Sequence, residues 1–197
     1  MNVQSQPHKI MDKREQILDA TADLIAEQGL QACPMSMIAK HACCGAGTIY
    51  RYFETKEELV QELFRELSSN MAEQCLQGYD ENAGIKQRFF TFWGNFYRFM
   101  HDTPRNRTLM EQLTASPAIC EAHRQTSMQI VHDTITRLLK EGKEQQLIKD
   151  MPDEILTTMT FGGLLMTSRK QHLAPEMFTA EVDVKDLVTM CWDAIKA

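Results

Sequence analysis

The sequence predicts an all-α protein of about nine helices, and three observations carry that expectation. Apolar residues recur at the 3.6-residue period in one segment after another. No stretch alternates apolar and polar residues as a half-buried strand would. Prolines, glycines and capping residues punctuate the chain at helix-length intervals. With 197 residues, 43% of them hydrophobic, the chain has material for a substantial core in one domain or two small ones.

The first helix opens at a D-x-x-E start, Asp12 and Glu15, which can cap the exposed amides. Ile17, Leu18, Thr21, Leu24, Ile25 and Gln28 then share one face, and Gly29 is a left-handed stop candidate. A short helix follows from Pro34 to Ala42, with Met35, Ile38, Ala39 and Ala42 on its apolar side. Cys43–Gly45 reads as a turn, and Gly47–Phe53 as a third helix anchored by Ile49 and Phe53. Thr55 and Glu58 form a second capping box, opening a longer helix through Leu59, Leu63, Phe64 and Leu67. Residues 78–84 break the pattern before an aromatic-rich helix over 85–101. Pro104 and Pro117 start two more helices, the second running to about Gln145. A loop through Asp150-Met151-Pro152 leads to a helix over about 153–171, and Val184–Ile195 is the last. There are no repeats or low-complexity tracts. The result is a helical bundle.

Composition narrows the function. No apolar run approaches the roughly 18 to 20 residues that span a bilayer. The N-terminal segment MNVQSQPHKIMDKREQ is polar, unlike a secretory signal, so a cytoplasmic address is expected. Cys33, Cys43, Cys44, Cys75, Cys120 and Cys191 are scattered without a C-x-x-C pair, and read as small buried or half-buried side chains. The net charge of −6 is unlike a typical nucleic-acid binder, so any such surface must be local. The chain lacks a complete G-x-G-x-x-G, a G-x-S-x-G, a GK[ST] and an H-E-x-x-H, so neither an enzyme nor a metal or cofactor site is expected.

The informative stretch is residues 33–58. Two short helices across a tight turn make a helix-turn-helix, whose second helix can enter the major groove. With Ile49 and Phe53 inward, Thr48, Tyr50, Arg51 and Tyr52 keep polar tips outside, the groups that contact phosphates or guanine edges. Gly45, Ala46 and Gly47 leave the helix N-terminus nearly bare, open to close approach by phosphate. Lys56 begins the next helix, within reach of a flanking phosphate.

The run from Ile38-Ala39 through Gly47-Thr48-Ile49-Tyr50-Arg51-Tyr52-Phe53 to Lys56-Glu57-Glu58-Leu59 resembles the DNA-binding signature of TetR-family transcriptional regulators. Glu27-Gln28-Gly29-Leu30 is similar to the end of that family's first helix. The resemblance is strong over residues 10–65 and elsewhere rests on helix count and length. It implies a DNA-binding domain over 1–54 and a ligand-binding and dimerisation domain over 55–197. It also implies a homodimer that binds palindromic operator DNA, represses, and is released by a small hydrophobic or amphipathic inducer. Thr48, Tyr50, Tyr52 and Lys56 would hold phosphates, with Ala46, Gly47 and Arg51 near bases and Ser36 and Gly45 beside them. Two departures stand out: Cys43-Cys44-Gly45 where the family often has Gly-Val-Ser, and Cys33 where it usually has a Thr or Ser cap.

Phe89, Trp93, Phe96, Tyr97 and Met100 on the aromatic helix, with Glu111, Met128 and Met166, are the candidate ligand-binding residues. Phe161, Leu164 and Leu165, and Val188, Trp192 and Ile195, form apolar stripes on the last two helices. The resemblance makes these the dimer interface; the alternative is that both stripes merely close the protomer's own core. Tilting of the DNA-binding heads away from the roughly 34–36 Å groove repeat would couple ligand to release. The rival reading is a helical small-molecule sensor acting through protein partners without DNA.

Overall fold

The computed structural model describes residues 12–178, 180 and 182–197. The polar segment 1–11 read against a secretory signal lies outside the described residues. Among them the regular structure is helical: ten α-helices and two single 3-10 turns, with one isolated bridge between Ile148 and Lys196. None of these helices is long and apolar enough to cross a membrane. The chain divides into two compact units, up to Leu63 and from Phe64 onward.

The first unit contains α1 (Lys13–Gln28), a 3-10 turn (Leu30–Ala32), α2 (Met35–His41), α3 (Ala46–Tyr52) and the opening turns of α4 (Lys56–Cys75). Asp12 caps α1 through a complete box: its Oδ1 accepts from Glu15 N at 2.8 Å, and Glu15 Oε2 accepts from Asp12 N at 3.1 Å. Gly29 stops the helix with φ 84° and ψ 152°, a positive φ with an extended ψ rather than the left-handed helical cap expected. Ile17, Ile25, Ile38, Ile49 and Leu59 are fully buried, and such side chains contribute roughly 1.5–3 kcal/mol each. Arg14 pairs with Glu62 and lies 5.7 Å over the Phe53 ring. Those contacts keep the first turns of α4 with this unit, past the 54/55 boundary expected from the motif.

The second unit holds the rest of α4 with α5 (Ile85–His101), α6 (Pro104–Thr114), α7 (Glu121–Ser127), α8 (Gln129–Glu144), α9 (Asp153–Leu173), a 3-10 turn (Pro175–Met177) and α10 (Val184–Ile195). Its core is an aromatic stack on α5. Phe89 and Trp93 stack at 4.1 Å, Trp93 and Phe161 at 4.7 Å, and Trp192 meets Phe89 edge-on at 5.3 Å. Arg88, buried, pairs with Glu141 and donates to the Tyr79 hydroxyl, tying α5 to α8. The C-terminus closes onto the 147–149 loop through Lys149 N to Ile195 O at 2.9 Å and Ala197 N to Leu147 O at 3.1 Å.

One element differs from expectation. The helix expected from Pro117 to about Gln145 is two helices, broken at Met128 (φ −104°, ψ 11°). No proline or glycine marks the break. α7 buries no residue, whereas α8 buries Val131, Ile135, Leu138 and Leu139. The direction of α7 is instead tied down by Arg124, which donates to Thr114 O at 3.1 Å, and by His123 beside Phe64.

Candidate functional site

In the first unit, Ile49 is fully buried and Phe53 2% exposed, so α3 sits on the core by that edge alone. Tyr50 (52% exposed), Arg51 and Tyr52 (39%) face solvent, Thr48 is half-buried, and Ser36, Gly45, Ala46 and Gly47 are exposed. A Cβ added at Gly47 would meet nothing within 4 Å. The protein's own packing therefore gives no reason for a glycine there. Residues 33–53 contain Lys40 and Arg51 but no acidic side chain, so an acidic chain keeps a locally positive stretch. Lys56 is placed differently from expectation: its Nζ donates to Leu30 O at 2.8 Å, bracing the 3-10 turn.

In the second unit a cavity of about 650 Å³ lies among α4 to α9, walled mainly by apolar side chains. Of the candidate ligand residues, Phe96, Met100 and Met128 line it. Met100, Glu111 and Met166 line a second cavity of about 520 Å³, which shares Met100, Met110, Thr114 and Leu165 with the first. Phe89, Trp93 and Tyr97 line neither cavity: they are core, the first two within the stack and Tyr97 with its hydroxyl on Gln171. Burial pushes the Tyr97 phenol above its ordinary pKa. Met71, Met110, Arg124 and His132 line the main cavity and were not legible as such. They sit on four elements whose convergence is tertiary, and Arg124 precedes the unmarked break.

The two candidate dimer stripes face inward. Leu164, Val188, Trp192 and Ile195 are buried in the protomer, and Cys191 Sγ donates to Thr160 O at 3.5 Å between the helices. Phe161 and Leu165 line the cavity. Four of the six are thus buried inside one protomer, and Phe161 and Leu165 are half-buried. The opposite face of α9 is the open one: Ile155, Met159, Gly162, Gly163 and Met166 are exposed, and a Cβ at either glycine would have open space.

Residues 84–196 match the family of tetracyclin repressor-like C-terminal domains, and residues 17–63 match the bacterial regulatory proteins of the tetR family. This chain belongs to the TetR family. An uncharacterized HTH-type transcriptional regulator of Haemophilus influenzae is 31% identical over 106 residues, 54% of this chain and 57% of that protein. The fatty acid metabolism regulator protein of Bacillus subtilis is 38% identical over 76 residues, 39% of each chain. The chain therefore spans 57% and 39% of the length of these two relatives. A TetR-family regulator structure from Vibrio parahaemolyticus superposes with a TM-score of 0.80 at 28% identity, covering 94% of this chain and 99% of that one. The family's members and these relatives are transcriptional regulators, not enzymes.

Against its TetR-family pattern, the chain's two departures have structural consequences. Cys43 occupies the turn with φ 48°, a left-handed conformation that usually favours glycine or asparagine. Cys33 is fully buried, and Pro34 takes the cap position before α2 without a side-chain acceptor. Burial pushes the Cys33 thiol up, with the Lys56 ammonium pulling it partly back. Burial also raises Cys75 to about 12 and Cys191 to about 11, whereas Cys43 and Cys120 are exposed rather than buried or half-buried as expected.

Proposed function

We propose that this TetR-family protein is a ligand-responsive repressor that binds palindromic operator DNA as a homodimer and is released by a small hydrophobic or amphipathic inducer. The observation that carries this reading is the outer face of α3. An acid-free helix-turn-helix presents Tyr50, Arg51 and Tyr52 outward beside the bare Gly45-Ala46-Gly47 start. Two hydroxyls and a guanidinium serve phosphate positioning, and Arg51 can also read a guanine edge. Ser36 and Thr48 flank the phosphates. Lys56 acts through the Leu30 carbonyl, holding the 3-10 turn, or swings off it to reach a phosphate.

The apolar cavity is the inducer site. α7 forms one of its walls and touches α4 through His123 and Phe64, and the first turns of α4 belong to the first unit. A ligand that shifts α7 thus acts on the helix leading into the DNA-binding unit. Coupling of about 1–3 kcal/mol would change operator affinity roughly 5- to 150-fold. The dimer forms through the outer faces of α9 and α10, where Gly162 and Gly163 permit close helix approach.

The test is an anisotropy titration against the duplex upstream of the protein's own gene. Binding should be tight and should weaken steeply with salt, since counterions leave the phosphates. Tyr50→Ala, an exposed position, should abolish it while leaving the fold intact. The net charge of −6 favours one rival, a sensor acting through protein partners. A folded dimer that binds neither this duplex nor random DNA at low salt would decide for that rival.

A further inference from the structure

We propose that Arg124 is the head-group subsite of the cavity, and that the cavity selects a single-chain amphiphile with an anionic head over neutral or cationic ones. The inference rests on the reading of this cavity as the inducer site. Its volume of about 650 Å³ is of the size that takes a small organic ligand. Met71, Met100, Met110 and Met128 line it with Phe96 and Phe161. Unbranched thioether side chains repack around a flexible chain more readily than branched ones do.

The charged groups on the lining are Glu121, Arg124 and His132. The Glu121 carboxylate is 72% exposed and already accepts from Gln125 Nε2 at 3.0 Å. His132 is 74% exposed, with Nδ1 3.5 Å from Asp133. Arg124 stands apart. Of its five N–H donors, one is used at hydrogen-bond distance, from Nη2 to Thr114 O at 3.1 Å. Its Nε is out of solvent without an acceptor, and the nearest carboxylate oxygen, on Glu121, is 3.7 Å away. The side chain as a whole is 39% exposed, so its remaining N–H groups are open to a ligand oxyanion. Guanidinium and carboxylate also match as planar, two-point partners. The exposed Arg124–Glu121 pair is weak and gives way at little cost. A cationic head would have to displace Gln125 and sit beside that guanidinium.

Isothermal titration of the 197-residue protein with dodecanoate and dodecyltrimethylammonium below their micelle concentrations, and dodecan-1-ol below its solubility limit, tests the inference. Dodecanoate should bind at least tenfold tighter than the alcohol, with the cation weakest. Arg124→Gln should erase the gap between acid and alcohol while leaving alcohol affinity unchanged. Glu121→Gln, which removes the competing carboxylate, should tighten the acid alone. Equal binding of acid and alcohol to the native protein, or a gap that survives Arg124→Gln, overturns the head-group assignment and leaves the cavity a charge-blind site. If none of the three binds, the inducer-site reading falls with it.

Discussion

At the scale of single residues, similar chemistry has different fates depending on what surrounds it. Tyr50 and Tyr97 are both tyrosines on helices, yet one is half exposed and the other buried with its hydroxyl on Gln171. Lys56 has the flexible stem expected of a phosphate contact, but its ammonium rests on a carbonyl of the same unit. Gly142 supplies a sharper case. In an ordinary helix Gly→Ala stabilises by about 1 kcal/mol. Here the added Cβ would lie 2.5 Å from Ile148 Cδ1, 2.8 Å from Cγ1 and 3.3 Å from Cβ. Overpacking of this kind costs about 1–3 kcal/mol, so it should outweigh the propensity gain. Gly142→Ala is expected to lower the urea midpoint. Ile148→Val, which removes the closest atom, should restore part of the loss in the double variant, a coupling that a mutant cycle measures.

At the scale of elements, local signals predict a helix best where they agree. α1 has its capping box, its apolar period and a glycine stop, and it forms where those signals place it. α5 runs Ile85–His101 and α10 Val184–Ile195, the ranges their periodicity predicts. The α7–α8 break was illegible because its causes, a guanidinium on the Thr114 carbonyl and a side buried only in α8, lie outside the local sequence. α7 should also be the loosest of the described helices, since it is short and buries no residue. Hydrogen exchange tests this. The α7 amides should lose protection well before those of α5, and dodecanoate should slow them selectively. Protection of α7 equal to that of α5 in the free protein would contradict its role as the moving wall.

At the scale of the whole molecule, assembly turns on which face of α9 is free. The inward ridge of Leu156, Thr160, Leu164 and Ser168 is buried. Phe161 and Leu165 face the main cavity, Gly162 and Met166 edge the second, and Ile155, Met159 and Gly163 are exposed outside both. Exposed apolar positions on a helix that already has a core mark an interaction surface. Met159→Glu should leave the helical circular dichroism unchanged and yield a monomer by light scattering. It should also weaken operator binding by at least a hundredfold, since one head loses its partner half-site. Leu164→Glu should instead unfold the protomer. A Met159→Glu protein that remains dimeric would move the interface elsewhere.

The helix-turn-helix was legible because it is local. Ile49 and Phe53 lie one turn apart, so burying them leaves Tyr50, Arg51 and Tyr52 outside whatever else the chain does. All-helical architecture and family membership were legible for the same reason, resting on periods and motifs contained within short segments. The ligand residues were legible only in part: Phe96, Met100 and Met128 line the main cavity, whereas Phe89, Trp93 and Tyr97 do not. An apolar stripe records that a face is covered, not whether core, cavity or partner covers it, and both kinds of burial favour the same side chains. Only the tertiary structure could assign Phe161 and Leu165 to the cavity, Leu164 and Val188 to the core, and Met159 to the open face. That assignment depends on how far each helix is rotated about its axis, which is set by packing partners distant in sequence.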